Sequence, residues 1–595
     1  MQLSKIKTRP KLGDNTDGST QRYLVLPSVL ILIYALPAFA IHYSINEHFF
    51  SNRLFNEWWN ILRFTKIAIF SMSVSGAYLL LASLLQGRSR SLNTFIIAFN
   101  ACYFFGSLVI LNYYQYFGDL VHFNQIDAVK NLSEIGGQIY YQIVDSVDIA
   151  LIFVLPVGMY FSWKYFGRNE LNERTKNNIF PHLSIILCLI SLSFWGIQIA
   201  RYGSPATKLD VQGAVMTASH FGLITAYVSM ALKSQRSFVE VDYPGPIDRI
   251  AADETTVFPE PPNIIFLQIE SLDTLTTELS VAGKHVMPFL NSLKDESVYF
   301  ENFFSHHNGG GSSDAEIATL MSLLPISSHS GLKTAQYDKI DSLIQILKEN
   351  NYTTGVFHSN KGSFYNRAYA YSNFGVDHFY DASAFDGQAA GWYAKDKEFY
   401  KQSVQLLTAQ DKGTPFFAYL ISIQSHGPFR NYSEHTYRTF DVSGFSKDRL
   451  VRDYVLTMHE VDAAINSLFA DLDRNRWLDN TVVFIFGDHP SGVFSAEPKT
   501  ARVPLYIWHD RIDPSFEKQP ASLIDLAPTV SSLAGFRFGR TWLGSSLLTD
   551  ETRTVLLRNR STIGLDESGS LVVNRDSQSE YLDYINYSDY LQMGH

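Results

Sequence analysis

Two hydrophobic patterns divide the chain. Before residue 201 the apolar residues come in long unbroken runs, whereas after residue 262 they come in short runs cut off by polar residues. The long runs fall at 24–45, 62–86, 94–113, 146–166 and 180–200. Each approaches the ~20 residues that carry a helix across a bilayer. They predict an N-terminal α-helical transmembrane domain of about five spans. Ala38-Phe39-Ala40 mimics a cleavage site, but the first run is longer than a signal-peptide core and four more follow, so it reads as an uncleaved anchor. Basic residues set the orientation. Lys5, Lys7, Arg9, Lys11 and Arg22 precede the first run, Arg88 and Arg90 lie between the second and third, and Arg168, Arg174 and Lys176 lie between the fourth and fifth. The alternate loops are poorer in Lys and Arg, which places the N-terminus inside. An odd number of spans then puts everything after residue 200 outside the cytoplasmic membrane. Arg63, Lys66, Asp145 and Asp148 sit near the ends of their runs, as in an anchor rather than a transport path.

The next stretch is mixed. Gly213–Leu232 is apolar but broken by Ser219, His220 and Ser229, while Phe221, Leu223, Ile224 and Val228 recur at helical spacing. It reads as an interfacial helix; a sixth span is the alternative and would invert the topology. Asp242–Pro262, rich in Pro, Asp and Glu, reads as a linker. Beyond it, Asn263–Ile269, Thr353–Phe357, Phe416–Ser422, Thr481–Phe486 and Val503–Trp508 read as strands buried on both faces, with helices between, one of them around Met287–Asp295. This alternation implies an α/β sheet covered on both sides. The expected organisation is a cytoplasmic tail (1–23), a five-helix membrane domain (24–200), an interfacial helix and linker (201–262), an α/β domain (263–547), and C-terminal strands and tail (548–595). Thr554–Leu557 and Ser570–Val573 would form an edge ribbon around Gly564–Gly569.

Composition narrows the function. A net charge of -10 excludes an ordinary nucleic-acid binder. Both cysteines, Cys102 and Cys188, lie in apolar runs, so the polar part has no thiolate nucleophile and no Cys-ligated metal. A domain outside the membrane cannot draw on cytoplasmic ATP or nicotinamide cofactors, so its donor should be lipid-borne or extracytoplasmic.

Candidate chemistry gathers where the strands stop. Glu270, His358, His426, Asp488 and His489 each follow an apolar run, and parallel sheets build sites outside the carboxyl ends of their strands. Glu270, Asp488 and His489 are a mixed oxygen and nitrogen set suited to one divalent metal, Mn²⁺, Zn²⁺ or Mg²⁺. The stretch Asn308–Glu316, NGGGSSDAE, supplies the hydroxyl. Ser313 to Glu316 reads as a capping box, which would put Ser312 in the turn before a helix N-terminus, where anions are favoured. A plain Gly/Ser loop before a helix is the other reading of that stretch alone. A metal beside Ser312 would lower its hydroxyl pKa and make it a nucleophile.

These motifs resemble the lipoteichoic acid synthase family of membrane phosphoglycerol transferases, within the sulfatase/alkaline-phosphatase superfamily. The matching stretches, in family order, are NIIFLQIES (263–271), PFL (288–290), FENFF (300–304), GSSDAE (311–316), FHSNKGSFYNR (357–367), SHGPF (425–429), GDH (487–489) and DLAPT (525–529). The resemblance implies that Ser312, where the family usually has threonine, is the nucleophile, with Glu270, Asp488, His489 and Ser312 on the metal. Arg367 and His426 fall on residues that hold the head group, Tyr365 replaces a tryptophan there, and His358 is a further pocket residue. Gly311 stands where the family often has a lysine. The implied reaction is ping-pong transfer of phosphoglycerol from phosphatidylglycerol to a cell-envelope glycan or polymer through a seryl intermediate, with His426 protonating the leaving diacylglycerol. It also implies a multi-pass protein of the bacterial cytoplasmic (inner) membrane whose catalytic domain faces the periplasm or cell exterior. A phosphoethanolamine transferase using phosphatidylethanolamine, or an envelope sulfatase or phosphodiesterase, is the alternative. The C-x-P-x-R or S-x-P-x-R context of a sulfatase formylglycine is absent around Ser312.

Overall fold

A computed structural model describes residues 90–117 and most of 180–593, with shorter helical pieces inside 32–45 and 65–74; near the site, residues 309–310, 327–328, 428 and 495–501 fall outside the described set. The chain forms two compact units, one made of Met1–Gln115, Gly136–Gly203 and Ala218–Thr225, the other of Tyr116–Ile135, Ser204–Thr217 and Ala226–His595. The apolar runs 94–113 and 180–200 fall within helices Arg90–Phe117 and Phe180–Tyr202. Runs 24–45, 62–86 and 146–166 lie wholly or partly outside the described residues. Among the described residues no helix is long and apolar enough to cross a membrane. The expected interfacial helix is two helices, Pro205–Phe221 and Leu223–Lys233, broken at Gly222.

In the larger unit, the apolar runs become an eight-stranded sheet. Its strands are β1 (Asn263–Ile269), β2 (Val298–Phe300), β3 (Thr353–His358), β4 (His378–Tyr380), β5 (Phe416–Ile421), β6 (Thr481–Gly487), β7 (Leu505–Trp508) and β8 (Ser515–Glu517). The spatial order is β8-β2-β7-β6-β1-β5-β3-β4. From β6 to β4 the strands are parallel, and β7 runs antiparallel to both β6 and β2. Along β1, Ile264 and Phe266 enter one core and Ile265, Leu267 and Ile269 the other, as pleating requires. The first core is covered by α1 (Ser312–Met321), α2 (Leu343–Glu349) and α3 (Arg367–Asn373). The second is covered by α4 (Asp396–Thr408) and α5 (Arg449–Arg474). The fold is therefore the expected α/β sandwich. Phe266 is fully buried and meets Phe417, Tyr419, Phe484 and Phe486 edge-on at 5.0 to 5.7 Å between ring centroids.

Register positions the site. Ile269 pairs with Gly487, and Ile421 pairs with both Gln268 and His358. The carboxyl ends of β1, β3, β5 and β6 thus finish level, and the residues that follow them open onto one edge.

The C-terminal strands, Val555–Leu556, Thr562–Leu565 and Leu571–Asn574, form a separate antiparallel sheet rather than an edge of the main one. After them comes a helix the sequence reading did not assign, α6 (Leu582–Met593). It is fixed to the chain that leaves α1: Gln592 Nε2 donates to Leu324 O, Leu324 N donates to Ser588 Oγ, and Gln336 N donates to Leu591 O. Part of the expected linker is also docked. Tyr243 Oη donates to Trp542 O, Ile247 N to Leu543 O, and Thr554 N to the Asp248 carboxylate.

Candidate active site

The backbone turns sharply where β1 ends. Ser271 has a φ of 55°, an uncommon conformation for a non-glycine residue. The turn is over-determined by its neighbours. Glu270 N donates to Ser422 Oγ, Ser425 Oγ donates to Glu270 O, and Tyr454 Oη donates to Ser271 O. Asp488 leaves the adjacent strand at the same level, and its Oδ1 accepts from Ser271 N at 2.8 Å. Gly487 has to be glycine here, because a Cβ would lie 2.5 Å from Leu272 O.

Glu270, Asp488 and His489 consequently converge, with one ligand atom from each within 4.8 Å of the others. His489 Nε2 lies 3.4 Å from Glu270 Oε1 and 3.6 Å from Asp488 Oδ2. Asp488 Oδ2 is buried and, among the described residues, has no hydrogen-bond partner. Two buried carboxylates side by side repel one another, and the pKa shifts record it. Burial and then the charge of Glu270 push Asp488 up to about 7. Burial would also raise Glu270, but His489, His426 and the Ser312 hydrogen bond outweigh it and hold it below the usual range. Burial would lower His489, but Asp488 and Glu270 raise it to about 10. An orphaned carboxylate oxygen beside a second carboxylate and an imidazole is a donor set that fits a divalent cation.

Ser312 joins this cluster, its Oγ donating to Glu270 Oε2 at 2.7 Å. It is the first residue of α1, not the turn before it, and the capping box does not form. Gly311 is the N-cap, with φ 59° and ψ -136° and no side-chain cap. Ser313 Oγ donates instead to Ser330 Oγ. Glu316 is fully buried and bound in a two-pronged pair with Arg367: Nη2 to Oε1 at 2.6 Å, and Nε to both oxygens at 3.0 Å. Tyr371 Oη also donates to Glu316 Oε2. The tertiary pair claims the carboxylate that the local motif would have used.

The remaining expected residues surround Ser312 in two ways. Arg367 is only 1% exposed, its charge shared with Glu316. Its Nη1 reaches His358 Nε2 at 3.2 Å. Burial, and then Arg367, push the His358 pKa well down, so His358 is neutral, with Nε2 accepting from Arg367 and Nδ1 facing Ile421 O. Tyr365 lies closer to the nucleophile, with Arg367 under its ring at 5.2 Å. His426 has its Nδ1 2.9 Å from Gly427 O and its ring edge-on to Trp392 at 5.1 Å.

Several residues around the site were not anticipated. Gln268 Nε2 donates to Ser312 O, and Gln268 Oε1 accepts from Tyr419 Oη. Ser271 Oγ donates to Glu270 Oε1. His307 stacks against His489 with centroids 4.3 Å apart. Trp392, 40% exposed, extends the aromatic rim through Phe364 at 5.0 Å to Tyr365. Only Gln268 left a clear signal, as a polar residue inside an otherwise apolar strand.

An α/β sheet with a hydroxyl at a helix N-terminus, bonded to one of two carboxylates that converge with an imidazole at strand ends, is an arrangement that could hold a divalent cation beside a nucleophile. The sulfatase family profile matches residues 262–536. The chain is 30% identical over 318 residues to lipoteichoic acid synthase 2 of Bacillus subtilis, covering 49% of this chain and 48% of that protein, so the match spans about half the relative's length. A longer match, 25% identical over 511 residues, is to the lipoteichoic acid synthase-like protein YvgJ of the same organism and covers 76% of this chain and 78% of that one. Among solved structures, the lipoteichoic acid synthase LtaP of Listeria monocytogenes aligns with a TM-score of 0.48 at 25% identity, over 56% of this chain and 91% of that one.

Proposed function

We propose that the chain is a membrane-bound phosphoglycerol transferase that moves phosphoglycerol from phosphatidylglycerol to an envelope glycan or polymer. The observation that carries this reading is the 2.7 Å contact of Ser312 Oγ with Glu270, inside the Glu270, Asp488 and His489 cluster of a domain that the sulfatase family profile matches. The names of the relatives support the donor class. Exposed apolar side chains on helix Phe180–Tyr202, among them Ile186, Leu189, Leu192 and Ile197, support a membrane anchor. An anchor keeps the site near a lipid substrate.

Glu270, Asp488, His489 and Ser312 would hold the metal, Mn²⁺ first. When bound it lowers the pKa of the serine hydroxyl and neutralises charge on the attacked phosphate. The protein's own groups do the rest. Ser312 Oγ passes its proton along its hydrogen bond to Glu270 Oε2, to be returned when Ser312 is released, and attacks phosphorus; the Oγ–P bond forms as the bond to diacylglycerol breaks, and His426 gives its proton to the departing oxygen. The free N–H groups at the start of α1 favour the charge that develops beside Ser312. In the second half, His426 takes the proton of an acceptor hydroxyl, whose oxygen displaces Ser312 from phosphorus. His426 and Tyr365 border the head group. Arg367, nearly fully buried, acts on it through His358 and Tyr365, which it touches.

Mass spectrometry tests the reading directly. After incubation with labelled phosphatidylglycerol, a glycerophosphate adduct is expected on Ser312 and is lost in Ser312→Ala. An ethanolamine-phosphate adduct from phosphatidylethanolamine in its place would transfer the assignment to that donor. Adducts from neither lipid, with activity unchanged in Ser312→Ala, would end the transferase reading.

A further inference from the structure

The Tyr365 hydroxyl has no part in the chemistry above, yet the structure brings it against the nucleophile loop. A Cβ on Gly311, the residue before Ser312, would lie 2.7 Å from Tyr365 Oη. The space that a side chain at position 311 needs is therefore filled by the phenol. The backbone fits this arrangement on both sides. Gly311 has φ 59°, a conformation that glycine adopts freely. Tyr365 and Asn366 are successive non-glycine residues at φ 57° and 62°, a strained pair whose neighbours must hold it in place. The ring itself is fixed by three partners: Phe364 edge-on at 4.5 Å, Arg367 at 5.2 Å and Lys333 Nζ at 5.8 Å. Two cations lie on the ring, and the N-terminus of α1, whose free N–H groups favour anions, lies beside the hydroxyl. A phenol O–H in such a place is a donor to an anionic oxygen, not an acceptor from a cation.

We propose that Tyr365 Oη donates a hydrogen bond to a non-bridging oxygen of the phosphodiester attacked at Ser312. The inference rests on phosphoryl transfer at Ser312. It makes Tyr365 a catalytic residue of this chain through its hydroxyl, beyond the aromatic wall its ring provides.

The test uses the full chain in detergent micelles with labelled phosphatidylglycerol, following the single-turnover rate of the Ser312 adduct against lipid concentration. Tyr365→Phe keeps the ring and its cation contacts and removes only the donor. Its limiting rate should fall by about tenfold or more, as for loss of one donor to developing charge, with half-saturation changed less than about twofold. Gly311→Ala should be slower still, because its methyl meets the hydroxyl. Adding Tyr365→Phe to Gly311→Ala should recover part of that loss, which two independent defects would not do. Thermal melts of all three variants separate these rates from misfolding. An adduct that forms equally fast in Tyr365→Phe overturns the inference and leaves the transferase reading standing. Failure of the unmodified chain to form any adduct removes that reading and this inference with it.

Discussion

At Glu316 a single carboxylate decides how the nucleophile helix is held. It lies inside the first core with Arg367 and Tyr371 bound to it, and neither charged partner can be removed without stranding the other in a nonpolar setting. Glu316→Gln should therefore destabilise the domain by about 3–5 kcal/mol, the usual cost of breaking a buried pair from one side. Urea unfolding checks this, and a change below about 1 kcal/mol would mean that the pair is solvated. Asp488 is the corresponding residue on the metal side, with an oxygen left for a cation. Calorimetry with Mn²⁺ on the metal-stripped protein should show Asp488→Asn binding at least about tenfold more weakly. Equal affinity would move the metal elsewhere. The sequence made residue types at strand ends legible: of the five named there, Glu270, Asp488 and His489 converge, and Ser312 bonds to Glu270. The capping box was misread for a definite reason. S-x-x-E is a local pattern, and the partner that claims Glu316 is 51 residues away. His307 and Trp392 were invisible for the same reason, since ring contacts between distant segments leave no spacing to detect.

At the scale of elements, α4 controls the loop that carries His426. Asp396, its first residue, is fully buried; Oδ1 accepts from Ile423 N and Gln424 N, while Oδ2 has no hydrogen-bond partner. Burial, against these backbone bonds, raises its pKa to about 7. An acid with a raised folded pKa binds its proton more tightly when folded. The stability linked to that proton is complete below the unfolded value of 3.8 and is lost as pH climbs through about 7. Asp396→Asn keeps the Oδ1 acceptor and removes the charge. It should equal the parent near pH 4 and exceed it by roughly 1–3 kcal/mol at pH 8, because an unpaired neutral group costs less than an unpaired ion. Denaturant titrations at the two pH values decide it; a parent that is the more stable at pH 8 would show that the carboxylate is paired. The strands were legible because parallel strands buried on both faces are apolar throughout. Their order was not, because register arises from pairing between segments far apart in the chain. Helix α6 was hidden too. Its sequence, LDYINYSDYLQM, has no apolar stripe, and its hold on Leu324 and Gln336 comes from Ser588, Gln592 and a backbone carbonyl.

For the whole molecule, the proposed reaction depends on which side of the membrane the domain that matches the sulfatase profile occupies. On the sequence reading, the basic residues of the N-terminal tail and alternate loops would place that tail inside, and an odd number of spans would place the domain outside. The break at Gly222 bears on this count. Gly213–Leu232 is not one continuous helix, and the two helices that share it have 17 and 11 residues, the second well short of the ~20 that cross a bilayer. A sixth crossing in this segment would bring the domain inside. Cysteine labelling makes the argument concrete. With Cys102 and Cys188 replaced by serine, Arg438→Cys presents a thiol on the domain surface, where the arginine side chain is 72% exposed. A membrane-impermeant maleimide should label it in intact cells, or in cells with only the outer envelope opened. Arg9→Cys, in the N-terminal tail, should react only after lysis. The opposite pattern would place the domain in the cytoplasm, away from envelope acceptors, and would leave the site geometry intact while removing its proposed substrate.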